Sequence, residues 1–549
     1  MPFVPTSDIS KILLSLLLAA AAIGLPTAAY GQDGGDDSDA LEAVEEAAGE
    51  AEEAAEDWME EVDDWFGRIV VAPMVAVLFY NLGPYFGIEA GVPAVVVWLA
   101  VGAVFLTFRM GFINFRAFWH AIRVTKGDYD DDDHDGEVSH FQALSSALSA
   151  TVGLGNIGSV AVAVGIGGPG AIFWMVMCGL FGMTSKFTEC SLGQMYRRVD
   201  PDGHVSGGPM RYLSAGLREM GLGPLGAFLA VLFAVLCIGA SFGGGCAFQV
   251  SQSRLAVNEA VTGMFGVAPE TLDDLRWVYG LVMAALVGIV IIGGIRRIAA
   301  TAEKIVPLMC AVYVTTALVI LGMNADQIGA AFGEIFQQAW AKDSIYGGAI
   351  GAAMLGIKRA AFSNEAGVGS AAIAHSAART NYPVREGIVA LLEPFIDTVV
   401  ICTITGLVIV VSGVAIDPAN AEIVKAEEGA TITSLAFGSA VEWFPYVLAI
   451  AVILFAYSTM ISWSYYGERC ATYLLGPKAS MPYRLVFLVA VFFGAVIDAK
   501  NVLTFSDLMI LSMAIPNMIG LYLMSGKVKR SLNEYWAKYK HGDFGQSAA

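Results

Sequence analysis

Two short glycine-rich stretches interrupt apolar segments of the sequence, and their residue types suit ligand binding. They are SATVGLGNIG (149–158) and FSNEAGVGSA (362–371). Glycine costs about 1 kcal/mol relative to alanine inside a helix, so both stretches predict a helix break. Free amides at a break favour an anion such as a carboxylate, and free carbonyls suit a hard cation such as Na⁺. The alternative is that the glycines only let neighbouring helices pack closely.

Polar side chains in other apolar segments support a binding role for the two breaks. Gln249 and Gln252 lie in one such segment, and Ser458, Thr459 and Trp463 lie in another. A hydroxyl in a membrane helix also has a simpler role, which is a hydrogen bond to a carbonyl of its own helix. Both roles stay open for Ser458 and Thr459.

Ionisable residues in apolar segments are costly, and by default they indicate function. Glu365 lies inside the second break and is the candidate for a functional carboxylate. Lys186 and Glu189 are three residues apart, so we expect them to pair. Glu393 and Asp397 share a helix face, and we expect them to brace the helices.

The composition identifies the class of protein that carries these residues. The 549 residues are 56% hydrophobic and 15% charged, whereas soluble domains have about 25% charged residues. Many apolar runs reach the roughly 20 residues that cross about 30 Å of hydrocarbon. The net charge of −20 is concentrated in residues 33–64 and in the loop DYDDDDHDGE. The sequence therefore predicts an all-α polytopic membrane protein with two solvated acidic segments.

The hydropathy pattern predicts about eleven transmembrane helices, and the loops between them predict their orientation. Every second loop is rich in Lys and Arg, and such loops face the cytoplasm. The N-terminus is then periplasmic and the C-terminus cytoplasmic. The predicted spans lie near 91–108, 143–165, 169–193, 224–258, 276–295, 304–322, 347–376, 386–414, 441–467, 483–498 and 502–525.

The last ten spans form two groups of five, and each group begins with one of the interrupted stretches. Five is an odd number, so the second group enters the membrane from the opposite side. Paired interrupted segments in two inverted halves indicate a transporter binding site. A signal peptide is predicted at the N-terminus, with a retained first helix as the alternative. The predicted organisation is a signal peptide over 1–31, an acidic arm over 32–64, an interfacial segment over 65–90, a first transmembrane helix with an acidic cytoplasmic loop over 91–142, repeat one over 143–322, an extracellular linker over 323–346, repeat two over 347–525 and a cytoplasmic tail over 526–549.

Motifs for catalysis are absent from the sequence, which favours a protein that is not an enzyme. There is no HExxH cluster, no GxSxG elbow and no Walker lysine. The acidic loop lacks the glycine that a Ca²⁺ loop requires. The seven cysteines show no metal-type spacing and are interpreted as small core residues.

Three long motifs resemble the alanine or glycine:cation symporter family. They are SHFQALSSALSATVGLGNIGSVAVAVGIGGPGAIFWMVMCGLFGMTSKFTE, FSNEAGVGSAAIAHSAA and FAYSTMISWSYYGER. The resemblance runs from about Val92 to the C-terminus and leaves out the acidic extension. It implies the leucine-transporter (LeuT) fold, a five-plus-five inverted repeat, with one preceding helix. One departure is Cys246, where the family often has an asparagine, and this leaves the choice of substrate open.

The resemblance also implies roles for individual residues. Substrate would be held by residues of the two breaks and of the two polar segments: Thr151, Gly153, Leu154, Gly155, Gln249, Gln252, Ser363, Asn364, Gly367 and Trp463. The first of these, from Thr151 to the Gly155 amide, would bind the carboxylate. Na⁺ would be held by carbonyls or hydroxyls of Ser149, Val152, Phe455, Ser458 and Thr459. Asn156 would brace the break or contact a second ion, and Glu365 is the candidate coupling carboxylate.

The function that follows is Na⁺-coupled import of a small neutral amino acid by alternating access, in a bacterial-type inner membrane. Alanine and glycine are both open as substrates, and H⁺ is the alternative coupling ion. The sequence also leaves open a cation channel and an amino-acid sensor that does not transport. No organic cofactor and no nucleic acid is expected, and the oligomeric state is left open.

Overall fold

The computed structural model describes residues 64–86, 91–129, 135–199, 205–341, 348–497, 499–542 and 544. The chain divides into two units, Met1–Ile69 and Val70–Ala549. The predicted signal peptide and all but the last residue of the predicted acidic arm lie outside the described residues. Both predicted repeats belong to the second unit.

The described part of the second unit is almost entirely helical. Its α-helices are α1 (Ala72–Leu78), α2 (Ala94–Met110), α3 (Ile113–Arg116), α4 (Phe118–Thr125), α5 (His140–Thr151), α6 (Val160–Gly167), α7 (Gly170–Met195), α8 (Pro209–Glu219), α9 (Gly223–Phe242), α10 (Phe248–Phe265), α11 (Pro269–Asp274), α12 (Arg276–Ile291), α13 (Gly294–Met323), α14 (Ala325–Gln338), α15 (Gly348–Asn364), α16 (Ala371–His375), α17 (Pro383–Ala390), α18 (Leu392–Pro394), α19 (Thr403–Ser412), α20 (Ala421–Lys425), α21 (Gly429–Ala440), α22 (Phe444–Leu475), α23 (Ser480–Val496) and α24 (Ala499–His541).

Other regular elements are short. Strands β1 (Arg198–Val199) and β2 (Val205–Ser206) form an antiparallel pair in the loop after α7, with Arg198 opposite Ser206. Short 3₁₀ turns lie at Gly83–Phe86, Val414–Ile416, Pro418–Asn420 and Pro477–Ala479, and π-helical turns lie at Phe66–Val71, Gly155–Ser159, Gly243–Ala247 and Phe395–Cys402.

The described helices agree with the predicted spans, although fewer of them are long enough to cross a membrane by length and composition alone. Seven helices meet that criterion, and an eighth is the bent pair α5 and α6. The other three predicted spans are occupied by shorter helices. These are α2 with 17 residues, α12 with 16 residues, and α15 followed after its break by α16. The protein is an all-α polytopic membrane protein.

Both predicted breaks are present. Helix α5 begins at a capping box formed by Ser139 and Gln142 and ends at Thr151, and the chain bends by 54° before it continues into α6. Helix α15 ends at Asn364, and α16 begins only at Ala371. Between them Glu365 has a φ of 54°. A left-handed backbone is uncommon for a residue other than glycine, which marks this segment as a constrained one.

Candidate binding site at two broken helices

The amides of the first break already have protein acceptors, which differs from the prediction. The Gly153 amide donates to Asn156 Oδ1 at 2.9 Å, and the Leu154 amide donates to Gln249 Oε1 at 3.1 Å. The break is fully buried, and buried amides must find a partner. A carboxylate that binds the Gly153 amide must therefore displace Asn156, and one that binds the Leu154 amide must displace Gln249.

Asn156 connects the first break to the π-helical turn Phe395–Cys402, which contains Asp397. Its side-chain amide donates to Asp397 Oδ1 at 2.6 Å and to the Asp397 carbonyl at 3.0 Å. Together with the bond from Gly153, these contacts use both ends of the asparagine. Asn156 thus links Gly153 within the first break to Asp397. The prediction left a brace and a contact with a second ion open, and these contacts are those of a brace.

Asp397 also binds the second break. Ser363 Oγ donates to the Asp397 carboxylate at 3.0 Å, so one carboxylate receives a donor from each broken helix. The sequence predicted only a general brace at this position, and it gave no sign that both breaks would share it. Asp397 is completely buried, and removal of its side-chain carboxylate would leave donors of both breaks without this acceptor.

The second break is held by its own polar residues. Asn364 Nδ2 donates to Thr398 Oγ1 at 2.9 Å, and Asn364 Oδ1 accepts from the Ala366 amide at 2.9 Å. The Gly367 carbonyl accepts from Asn517 Nδ2 at 2.8 Å. Asn364 and the Gly367 carbonyl thus have protein partners, and neither lines the cavity described below.

Glu365 points from the second break towards α22. Its carboxylate accepts a hydrogen bond from Trp463 Nε1 at 3.1 Å and another from Ser370 Oγ. Glu365 is 2% exposed and Trp463 is 1% exposed. The indole therefore fixes the orientation of a buried carboxylate, and the two side chains form one wall of a cavity.

A small cavity lies where the two breaks meet. It leaves about 10 Å³, which is room for about one water molecule. An amino acid needs more space, so one could occupy this position only if the surrounding helices separated. The lining residues come from α5 and its break, from the second break, and from three other helices: Ala150, Thr151, Gly155, Gly244, Gln249, Phe362, Ser363, Glu365, Trp463 and Ile510.

Glycines lie where the helices approach one another closely around this cavity. A Cβ at Gly155 would lie 3.3 Å from the Ser363 Cα, and one at Gly245 would lie 2.5 Å from the Trp463 Cβ. The two breaks are therefore in direct contact, and the glycines of the Gly243–Ala247 turn let α22 bring its tryptophan to the cavity. Cys246 is buried in this turn, and its thiol contacts the Phe242 carbonyl rather than the cavity.

Of the two predicted glutamines, only Gln249 lines the cavity. Gln252 Oε1 accepts from the Ala430 amide at 3.0 Å, and its amide group lies 3.4 Å from the Glu427 carbonyl. Gln252 thus joins α10 to the start of α21. The choice between the two glutamines depends on three-dimensional placement, since they are only three residues apart on one helix.

The predicted Na⁺ ligands lie between α5 and α22. Ser149 Oγ donates to the Ser458 carbonyl at 2.8 Å, and Ser462 Oγ donates to Ser149 Oγ at 2.9 Å. Ser458 Oγ donates to the Phe455 carbonyl at 3.0 Å, which is the simpler role noted for it. The structure thus brings the two helices together through these oxygens but uses several of them in protein hydrogen bonds.

Thr459 differs from Ser458. Its hydroxyl is buried and has no hydrogen-bond partner among the described residues. A Cβ at Gly153 would lie 2.5 Å from Thr459 Oγ1. This hydroxyl therefore faces the first break at Gly153, the residue that follows Val152. A buried, unsatisfied hydroxyl costs about 1–3 kcal/mol. A cation bound beside it would offset this cost.

Comparison with known proteins identifies the family of the chain. A model of the sodium:alanine symporter family matches residues 86–548. The chain belongs to this family.

Three relatives in the sodium:alanine symporter family are similar over most of their length. The sodium/alanine symporter AgcS of Methanococcus maripaludis is 41% identical over 79% of this chain and 92% of its own. The probable sodium/glutamine symporter GlnT of Bacillus subtilis is 35% identical over 82% of this chain and 88% of its own. The amino-acid carrier protein AlsT of the same organism is 31% identical over 83% of this chain and 94% of its own.

Two solved transporters are also similar in structure, both at 14% sequence identity. MhsT in complex with L-phenylalanine has a TM-score of 0.48 and covers 72% of this chain and 99% of its own. A Na⁺-coupled sialic acid symporter has a TM-score of 0.39 and covers 77% of this chain and 86% of its own.

Membership of the sodium:alanine symporter family establishes the general function. The protein is a multi-pass membrane transporter that couples amino-acid transport to a cation, and it is not an enzyme.

A second buried polar cluster in this symporter was not anticipated as a unit. Lys186 Nζ lies 3.1 Å from Glu393 and 3.8 Å from Glu189, so the predicted partner Glu189 is the more distant one. His375 bonds Glu386 and Glu393. The members come from α7, α16, α17 and α18, and no spacing within one segment reveals them.

The same cluster brings three metal-type ligands together. Ligand atoms of Cys190, His375 and Glu393 lie within 4.8 Å of one another. The Lys186 ammonium beside Glu393 opposes a second positive charge there, and both ring nitrogens of His375 already contact carboxylates. The group therefore does not fit a metal ion.

Proposed function

We propose that this protein imports a small neutral amino acid, alanine or glycine, in symport with Na⁺ across a cell inner membrane. The observation that carries the proposal is the cavity between the two breaks, which is lined by the Glu365 carboxylate and by Gly155 of the first break. The buried Thr459 hydroxyl, which has no partner among the described residues, faces the same break at Gly153. A zwitterion offers the complementary groups, since its carboxylate suits the amides of the first break and its ammonium suits Glu365.

The substrate carboxylate is assigned to the first break. It would take the place of Gln249 Oε1 on the Leu154 amide, with Gly155 and Thr151 beside it. Gln249 is the group best placed to move, because its other contact is a single bond from its amide to the Gly244 carbonyl at 2.9 Å. Substrate binding would then release Gln249 and couple α10 to the first break.

The substrate ammonium is assigned to the second break. Glu365 supplies the charge, and Ser363 lines the same cavity. The walls near the side chain of the substrate are large: Trp463 on one side, and Phe362 and Ile510 on others. Such walls favour a methyl group or hydrogen as the side chain, because a larger group needs further separation of the helices.

Na⁺ is assigned to the oxygens between α5 and α22. Thr459 Oγ1 supplies one ligand. The carbonyls of Ser149 and Val152 lie on the first broken helix, which it faces, and the carbonyl of Phe455 lies one turn earlier on α22 itself. Coupling requires the ion to bind the two conformations differently. A site that joins the first break to another helix meets this requirement, because separating the two elements would dismantle it.

Uptake of labelled alanine and glycine into proteoliposomes tests the proposal. We expect accumulation above equilibrium with an inward Na⁺ gradient and none without a cation gradient. Accumulation driven only by an H⁺ gradient would refute Na⁺ coupling. Gradient-independent conductance of Na⁺ would refute symport altogether.

Proton coupling is the second candidate, and the buried Glu365 carboxylate in the cavity favours it. The variant Glu365→Gln keeps the hydrogen-bonding shape but cannot carry a proton. If Na⁺ is the coupling ion, this variant should lose alanine affinity but retain a Na⁺ requirement for residual uptake. If H⁺ is the coupling ion, it should lose gradient-driven accumulation and retain exchange of labelled for unlabelled alanine.

A further inference from the structure

A second and larger cavity lies away from the two breaks. It has a volume of about 590 Å³ and is formed by the end of α2, the end of α8 and the middle of α24. None of its lining residues lines the central cavity. They are Arg109, Tyr196, Gly216, Glu219, Met220, Leu523, Met524, Gly526, Lys527, Lys529 and Arg530.

This cavity is strongly basic. Four of its side chains are cationic, and Glu219 is the one acidic lining residue. Lys527 binds Glu219 at 2.8 Å, and with the hydroxyl of Tyr196 it holds the pKa of Glu219 below its usual value. Glu219 therefore stays ionised and neutralises Lys527.

The other three cations lack such a partner. Within the described residues, Arg109, Lys529 and Arg530 form no ion pair with a carboxylate. Arg109 and Arg530 are exposed and Lys529 is half-buried. A Cβ at Gly111 would lie 3.3 Å from Arg116 Nη1 and 3.5 Å from Lys529 Nζ, so a further cation lies close by. Like charges held together in this way attract an anion.

The position of the cavity indicates which anion. Arg109 lies in the last turn of α2, where the apolar part of that helix ends. Leu523 in the cavity wall is 39% exposed, and Phe105 and Phe108, which precede Arg109 on α2, are 39% and 64% exposed. Basic groups above exposed apolar side chains at the end of a membrane helix fit a phosphate headgroup together with its acyl chains.

We propose that this cavity binds the headgroup of an anionic phospholipid. The phosphate contacts Arg109, Lys529 and Arg530, and the acyl chains run along the exposed apolar side chains below them. The close contact of α8 with α24, where a Cβ at Gly216 would lie 2.4 Å from Met524 Sδ, makes the cavity a fixed feature of the fold. The lipid thereby joins α2 to α24, independently of the substrate.

Lipid binding to the full-length protein in neutral detergent tests this proposal by native mass spectrometry. The probes are dioleoyl phosphatidylglycerol and dioleoyl phosphatidylcholine, which share their acyl chains. We expect the anionic lipid to bind at least about tenfold more tightly, because each cation near the headgroup contributes about fivefold. Equal affinity for the two lipids would overturn the proposal.

A double variant and a matched control locate the site. Lys529→Gln with Arg530→Gln should weaken phosphatidylglycerol binding about 30-fold. Lys126→Gln with Lys478→Gln removes the same charge from two exposed positions outside the cavity and should change binding less than about twofold. An equal loss in both double variants would show a general charge effect and would overturn the assignment.

A third variant should strengthen lipid binding, and a folding defect would not produce that result. Glu219→Gln frees Lys527 and removes the acid of the cavity, so it should tighten phosphatidylglycerol binding about fivefold. Unchanged or weaker binding would contradict the proposal. Inorganic phosphate at millimolar concentration should not displace the lipid, and full displacement would show a site for free phosphate instead.

Discussion

Replacement of Thr459 by valine tests whether the Thr459 hydroxyl is a ligand of Na⁺ or only a buried hydroxyl. The valine has nearly the same shape but no hydroxyl. Because Thr459 Oγ1 is buried without a partner among the described residues, its removal should stabilise the Na⁺-free protein by about 1–3 kcal/mol, which is the usual cost of such a group.

Sodium should reverse this order of stability. A ligand at 1,000 times its dissociation constant stabilises the native state by about 4.1 kcal/mol, which exceeds the cost of the free hydroxyl. The wild type should gain this stabilisation, and Thr459→Val should lose most of it because one ligand of the ion is missing. The variant should therefore melt above the wild type in choline chloride and below it in sodium chloride.

Thermal unfolding of the detergent-solubilised protein measures this, at equal ionic strength in the two salts. Thr184→Val is the matched control, because Thr184 Oγ1 is also buried without a partner in the described part of the chain and lies on α7. Relative to the wild type, Thr184→Val should be stabilised by the same amount in choline chloride and in sodium chloride. If Thr459→Val behaves like Thr184→Val, the hydroxyl does not bind Na⁺ and the assignment is refuted.

Three further outcomes follow from other contacts. Asn156→Ala removes the acceptor of the Gly153 amide, so it should lower the free energy of unfolding by about 1–3 kcal/mol in chemical denaturation; an unchanged value would contradict its bracing role. Trp463→Phe removes the indole donor to Glu365 and enlarges the cavity, so larger neutral amino acids should begin to compete with alanine uptake; an unchanged inhibition pattern would contradict its role as a wall. Burial, with two nearby arginines, lowers the pKa of His120 to about 4, so the contribution of His120 to stability should be complete above pH 6.5 and be lost as pH falls towards 4. His120→Gln should show a smaller loss, and identical pH profiles of the melting temperature would refute this linkage.

The sequence predicted the broken helices well because their signal is local. Glycine density within an apolar run is visible in one segment, and the breaks after Thr151 and Asn364 lie within the two stretches that carry it. For Asn156 the family resemblance implied either a brace or a contact with a second ion, and the sequence did not choose between the two.

What could not be predicted depends on contacts between distant segments. Asp397 receives donors from Asn156 and Ser363, which are 241 and 34 residues away. The ammonium of Lys186 lies closer to Glu393 than to its sequence neighbour Glu189. Hydropathy and periodicity describe one segment at a time, so neither can show which helices share a carboxylate.

The amides of the first break show the same limit of local information. A helix break exposes backbone donors, and their availability to a ligand was the natural expectation. The folded protein satisfies the Gly153 and Leu154 amides with two side chains, one from the break itself and the other on α10. The second of these, Gln249, can be recognised as a competitor for substrate only once the helices are packed.

Binding of labelled alanine to the purified protein tests the central claim that the junction of the two breaks holds substrate and ion together. Gly155→Leu should abolish Na⁺-dependent binding, because even a Cβ at this position would lie 3.3 Å from the Ser363 Cα and the cavity leaves only about 10 Å³. Gly322→Leu, where a Cβ meets no atom within 4 Å, should bind alanine as the wild type does. Unaltered Na⁺-dependent alanine affinity in Gly155→Leu would contradict the account.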